Sequence, residues 1–396
     1  MTPVARYYQN LFQNKELEKR RRREQRARLT INNYKPLMNN EPIKLANLND
    51  LQEALRSQFV DPHRNNKPAL RKLTSTTTLK DSTPLAELVK LSQLLRSYAT
   101  KVGILLKPDK FVKENYGALY KELKQFVDCT FYYFSLLPLL YNDRKNPEFL
   151  LDKCDGATFE FLSGVAVLCD QLKVLFSDGR GSPSDDDDRL KAIGMIWSSC
   201  DFMKLIGEKG GFGILADSIR GTIGLVDDVL NDIDEFMKNP SLGNELDFES
   251  GFSSEEEEQQ ESDVDEDGST AVALERVKEF FTVWQTNLKM IKLLLSSFTK
   301  ALVSNTYKTT NYRGSTLDEL QKLHLKISEG IDDLIGDVLM ADKDFDPDDY
   351  REQVETLNKS VARMVSVVKK LSGTDEKRSK WIEVWESKYF KKSVSS

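Results

Sequence analysis

Leu85, Leu88, Leu91, Leu95, Tyr98, Val102 and Leu105 recur at spacings of three and four, and the same rhythm returns in each long apolar segment that follows. With 3.6 residues per turn, such spacing gathers the apolar residues on one helical face, whereas a half-buried strand needs sustained alternation. No alternation of that kind persists in this chain, so the expected fold class is all-α. Thr83-Pro84 supplies a cap residue and a first-turn proline for the opening helix, and Lys107-Pro108 ends it. Further helices are expected from Asp109 to about Leu137, where Pro138 stops or kinks the chain, and from Pro147 to Phe176. Another carries Ile193, Ile196, Trp197, Met203 and Ile206 up to Gly210-Gly211, with Asp185 to Asp188 at its dipole-favoured N-terminus. Ile214 to Met237 completes a five-helix N-terminal bundle over residues 84–238.

Residues 239–269 are expected to form an acidic, extended linker. Glu255 to Glu258 and Asp263 to Asp267 repel one another and carry too little apolar surface to offset the entropy of ordering. Beyond it, residues 270–396 show a long helix marked by Leu274, Val277, Phe281 and Trp284. A second is marked by Leu317, Leu320, Ile327 and Ile331. A third, from Tyr350 to Leu371, has apolar spacings that alternate four and three. These long helices are expected to pack as a second bundle or back onto the first. Residues 1–83 read as a basic N-terminal helix and a disordered linker, in which only Leu48 to Phe59 has a helical pattern. No fixed-period repeat is visible.

Catalytic chemistry finds few footholds. The two histidines, His63 and His324, lie without a metal-ligand or nucleophile motif around them. His63 falls in the expected linker, and His324 reads as a packed or surface helix residue. Neither Gly207 to Gly213 nor Asp178 to Gly181 follows a strand or leads into Gly-Lys-Ser, so neither is a phosphate loop. Cys129, Cys154, Cys169 and Cys200 are widely spaced, which fits buried thiols in a reducing compartment better than a disulfide framework. No enzymatic activity, cofactor or metal is expected. No stretch is apolar enough for a membrane span, and the acids among the N-terminal basic residues argue against a mitochondrial presequence.

The net charge of −6 hides an uneven distribution. Lys19, Arg20, Arg21, Arg22, Arg23, Arg26 and Arg28 form a basic run that reads as a nuclear-import signal, a nucleic-acid contact or a solvated helix end; sequence-specific DNA binding is not expected, because no zipper or DNA-binding fold frames the run. Ser184, Ser253, Ser254 and Ser262 stand before acidic residues and are candidate phosphorylation sites. Trp381, Trp385 and Tyr389 are candidate partner contacts, the competing reading being that aromatics at this spacing are core. Nucleus and cytoplasm are the expected locations. The acidic tract is also a candidate mask for the basic run at low salt. The oligomeric state stays open.

Two stretches carry more than periodicity. Gly156-Ala157-Thr158-Phe159-Glu160-Phe161-Leu162-Ser163-Gly164-Val165-Ala166-Val167-Leu168, followed by Ile196-Trp197-Ser198-Ser199-Cys200-Asp201-Phe202-Met203, resembles the cyclin-D-binding protein family, also called GCIP or Maid. The helix with Val226-Asp227-Asp228, the acidic interruption and the Leu357 to Leu371 helix follow in the same order, so the likeness covers roughly residues 84–396. The resemblance implies an all-helical, non-enzymatic protein that acts by association, with a cyclin or transcription-factor partner that it restrains. The Arg-rich extension has no match in that pattern, and the segment Leu190 to Ile206 with Ile214 to Met237 reads as a bundle hairpin rather than a dimerising helix-loop-helix. A cytoskeletal or trafficking scaffold built from helical bundles is the alternative.

Overall fold

The helical periodicity carries through to the backbone. The computed structural model of the protein, which describes residues 43–178, 185–242, 264–304, 312–372 and 375–393, has no strand among the described residues. Residues Leu45–Ser396 group as one unit, apart from Met1–Lys44. The first helix, α1 (Leu45–Leu55), continues through a π-helical turn, Arg56–Val60, and a further turn, Asp61–His63. α2 (Lys67–Arg71) follows, capped by the Asn66 side chain, which accepts from the Ala69 N–H.

Most of residues 32–83 was expected to be linker, and here the structure differs. Leu48, Leu51, Leu55 and Phe59 are buried, and Leu70 of α2 is buried as well. The flanking Asn, Pro and Thr clusters are real turn signals, but the short helices between them bury enough apolar surface to be held by the rest of the fold.

α3 (Pro84–Leu105) starts as expected, with the Thr83 hydroxyl accepting from the Ala86 N–H at 3.2 Å. α4 (Tyr116–Tyr141) begins later than Asp109, after a 3-10 turn, and runs one turn past Pro138. The missing N–H costs α4 a bond to the Phe134 carbonyl, but Leu136, Leu137 and Pro138 are all buried, and that packing outweighs the loss. α5 spans Glu148–Asp178 and α6 spans Asp185–Lys238. Within α6, Gly210 at φ 57° and ψ −170° interrupts the helix without a loop, in a region that glycine alone enters cheaply. The expected turn at Gly210-Gly211 is thus a single-residue break between two limbs.

α7 (Val264–Val303), α8 (Gly314–Leu339), α9 (Arg351–Leu371) and α10 (Glu376–Ser393) complete the chain. The acidic segment is shorter at both ends than its composition implies: Leu242 is buried in the second core, and α7 takes in the tract from Val264 onward.

Both halves share one plan. In the first, α4 packs on α3, α3 on the first limb of α6, and that limb on α5. Trp197 Nε1 donating to Thr100 Oγ1 at 2.9 Å marks the α3–α6 seam. α4 and α5 meet mainly through side chains, such as Tyr133 and Thr158, whose hydroxyls lie 2.5 Å apart; α1 is wedged between their backbones. In the second half, α7 packs on the second limb of α6, that limb on α8, and α8 on α9. The backbones of α9 and α7 stay apart, and α10 fills the gap.

The long α6 belongs to both sets. They are also joined where the Gly314 N–H donates to the Arg144 carbonyl at 2.8 Å. A Cβ on Gly314 would stand 2.2 Å from the Asn146 oxygen, so only glycine permits that approach.

Candidate interaction site

The residues singled out by sequence have different fates. Lys19 to Arg28, Ser184, Ser253, Ser254 and Ser262 lie outside the described residues. Trp381, Trp385 and Tyr389 do not form a free aromatic anchor. Trp385 is 3% and Tyr389 1% exposed, their rings stack at 4.9 Å, and Trp381 packs half-buried beside them. Trp385 Nε1 donates to the Met290 carbonyl of α7 at 2.8 Å, and the Tyr389 hydroxyl to Asn358 Oδ1 of α9 at 2.8 Å. These aromatics are contact residues, but for a groove of the same chain.

Several buried polar groups serve structure. Asp155, 2% exposed, accepts at Oδ2 from Arg71 Nε at 2.9 Å, with Nη2 in ion-pair contact 2.8 Å from the same oxygen, and at Oδ1 from the Tyr141 hydroxyl at 2.6 Å. The guanidinium lies 4.6 Å from the Tyr141 ring centroid and also reaches Glu148 and Asp152. This arrangement pins α2 to α4 and α5. His63, expected in a linker, bonds through Nδ1 to the Phe59 carbonyl at 3.1 Å and meets the Phe134 ring edge-on. Burial raises all four thiols, Cys129 to about 11 and Cys154, Cys169 and Cys200 to about 12, so at neutral pH they stay protonated and unreactive.

His324 is fully buried where α8 meets the second limb of α6. Its Nδ1 lies 3.0 Å from Thr222 Oγ1 and its Nε2 lies 3.1 Å from Gln321 Oε1, while Gln321 Nε2 donates to Ser218 Oγ at 3.1 Å. One neutral tautomer satisfies the network: Nε2–H donates to the amide oxygen and Nδ1 accepts from the threonine. Burial lowers the His324 pKa from 6.5 to about 4. The unfolded chain therefore takes up this proton first on acidification, so the contribution of the neutral ring is present above pH 6.5 and is lost as pH falls toward 4. From pH 7 to pH 5 wild-type stability is expected to fall by roughly 2 kcal/mol more than that of His324→Gln, which does not titrate. Parallel urea-unfolding curves against pH measure the difference, and equal slopes would contradict it.

Two surface features stand out in the described residues. On α3 and α4, aligned antiparallel by Lys101–Glu122 at 3.2 Å, Leu94, Phe131 and Tyr132 are exposed. On the other half, a cleft of about 590 Å³ opens between α8 and α9, lined by Glu329, Asp333, Asp349 and Glu352 together with Lys326. Such a cleft draws positively charged groups. Sequence reading placed neither feature, because each arises from pairing helix faces.

The family model described as "Grap2 and cyclin-D-interacting, N-terminal" matches residues 87–239, which covers α3 to the end of α6. An uncharacterized protein of Saccharomyces cerevisiae is 31% identical over 346 residues, 86% of this chain and 95% of the relative. An uncharacterized protein of Schizosaccharomyces pombe is 21% identical over 316 residues, 76% of this chain and 84% of the relative. In the described residues no helix is long and apolar enough to cross a membrane, and no group of three or more His, Cys, Asp or Glu is placed to hold a metal ion.

Proposed function

Because the chain belongs to the family of Grap2 and cyclin-D-interacting proteins, we propose that it is a non-enzymatic adaptor that binds a cyclin or transcription-factor-like partner and restrains it. The observation that carries this reading is the family match itself, which spans the helices that build the first bundle. The buried polar groups support it, since Asp155, His324 and Tyr133 are each engaged by structural partners. A protein of this build works through its surface, and a helical bundle offers rigid faces for docking.

Affinity purification of the tagged full-length protein from its own cells tests the proposal. A cyclin, a cyclin-dependent complex or a transcription factor is expected among the enriched proteins; cortical or organelle-tethering proteins alone would replace this reading with a scaffold. We place the protein in nucleus and cytoplasm, with Lys19 to Arg28 as its import signal. Replacing Arg20 to Arg23 with glutamine is expected to deplete the nuclear pool several-fold, read by imaging of the tagged chain.

A further inference from the structure

We propose that Thr83 is the acceptor site of a proline-directed protein kinase, which marks the start of α3 without unfolding it. The proposal goes beyond the adaptor reading and does not depend on it.

The first observation is conformational. Residues 73–83, between α2 and α3, form no helix or strand, and of the hydroxyl residues Thr74 to Thr78, Ser82 and Thr83 only Thr83 precedes a proline. A kinase takes its acceptor residue in an extended backbone. The ring of Pro84 disfavours the helical region for the residue before it, and Thr83 stands at φ −109° and ψ 154°, already extended. Its side chain belongs to an exposed residue. Pro84 also lacks an N–H, so a kinase pocket that offers no acceptor at that position leaves no donor unpaired. Thr2 and Ser182 precede prolines as well, but they lie outside the described residues.

The second observation is that the hydroxyl is accessible at low cost. Thr83 Oγ1 accepts from the Ala86 N–H at 3.2 Å, and the Thr83 carbonyl accepts from the Glu87 N–H at 3.0 Å. The cap uses a lone pair of the hydroxyl and does not commit its hydrogen. Fraying the first turn moves exposed Ala86 and half-buried Leu85, while Leu88, 2% exposed, anchors the helix beyond it. Opening a helix end costs far less than global unfolding.

The third observation is the setting the phosphate would enter. The Ala86 N–H already bonds the acceptor oxygen, and the helix dipole favours negative charge at this end. Glu87 is the acid of the first turn; Lys90 at 2.8 Å and a hydrogen bond from Ser82 hold its carboxyl below the usual carboxylate range. A phosphate of about −2 charge is thus drawn by the helix end and opposed by a carboxylate that Lys90 already pairs, and α3 stays folded. The next residue along, Leu85, stands against the break in α6. A Cβ on Gly207 would lie 2.8 Å from the Leu85 carbonyl oxygen, and one on Gly210 3.3 Å from Leu85 Cδ1. The added charge is displayed close to the joint between the two halves, where it alters what docks.

In the transfer, Thr83 Oγ1 attacks the terminal phosphorus of the kinase's magnesium-bound nucleoside triphosphate. The Oγ1–P bond forms as the bond to the departing nucleoside diphosphate breaks, and the hydroxyl proton passes to a carboxylate of the kinase.

The test uses the full chain, a mitogen-activated protein kinase and magnesium ATP, with phosphate located by peptide mass spectrometry so that Thr2 and Ser182 are told apart from Thr83. Phosphate is expected on Thr83, and Pro84→Ala is expected to slow its appearance at least about tenfold, because the new N–H enters the kinase pocket unpaired. Equal rates, or no phosphate on Thr83, would overturn the proposal. Should Pro84→Ala fail to fold, wild type decides: an acid-directed kinase is expected to leave Thr83 unmodified, and equal labelling by both kinases overturns the assignment. Hydrogen exchange over residues 84–90 is expected to be no faster in the phosphorylated chain; faster exchange would show that the mark unfolds the start of α3. The tagged chain purified from its own cells with phosphatase inhibitors is expected to yield the Thr83 phosphopeptide, and its absence would also overturn the proposal. None of these measurements involves a cyclin or transcription factor, so failure here and failure of the adaptor reading are separable.

Discussion

Asp155→Ala lowers the unfolding free energy by about 3–5 kcal/mol, because it leaves Arg71 and the Tyr141 hydroxyl facing a site built around a carboxylate. Asp155 is buried and accepts from both groups, while the Arg71 guanidinium rests on the Tyr141 ring. The loss belongs at the lower end of that range if Arg71 turns to Glu148 and Asp152, which it already contacts. Tyr141→Phe removes one hydrogen bond to a charged acceptor and should cost roughly 1.5–3 kcal/mol. Removing the pair together, as Arg71→Met with Asp155→Leu, should cost less than Asp155→Ala alone, since no uncompensated charge remains. Urea denaturation of the three variants reads these values. A double variant as unstable as the single one would show that the ion pair is not what pins α2 to the bundle.

Phe161→Ala is expected to cost about 3–5 kcal/mol through lost burial and a residual cavity. Phe161 is fully buried, with Phe126 and Tyr133 each 6.0 Å away between ring centroids. It sits on α5 at the face turned toward α4, where the backbones stand apart and the rings of Phe126, Tyr133 and Phe161 fill part of the space between them. Smaller neighbours cannot collapse into such a space, which puts the cost at the higher end. The same variant tests whether the two halves unfold together. Because the two limbs of α6 meet at Gly210 without a loop and Gly314 locks the halves at a second point, tryptophan signals from Trp197 and Trp284 should shift to the same lower midpoint. Two separated transitions, with only the first displaced, would show that the halves are independent.

Local features were legible where local physics decides them. The three-and-four spacing of Leu85 to Leu105 and of Tyr350 to Leu371 marked helices that the structure contains, because helical period depends only on neighbours within two turns. Thr83 was readable as a cap for the same reason. His324 could be read as a helix residue, but not as the centre of a network with Thr222, which is 102 residues away. Arg71 and Asp155 are 84 residues apart, and nothing in the surrounding run of turn-forming residues signals that α2 belongs to the first bundle. Composition misled in the same way at the acidic tract, whose last residues join α7 because the following apolar face anchors that helix. Trp385 and Tyr389 show the limit most sharply. Their spacing told that they share a helical face; whether that face meets water, a partner or the chain itself depends on the gap left between α7 and α9.

The sequence by itself determined that this protein is all-α, where most of its long helices run, and which family its motifs resemble. Those properties follow from short-range periodicity, capping chemistry and residue runs. Only the tertiary structure decided that a helix near each end of the described chain acts as a wedge in a four-helix set, and that the first of them is pinned through the Arg71–Asp155 ion pair. The physical reason is that wedging depends on distances between helices remote in sequence, and no local pattern encodes how far apart two helices will stand.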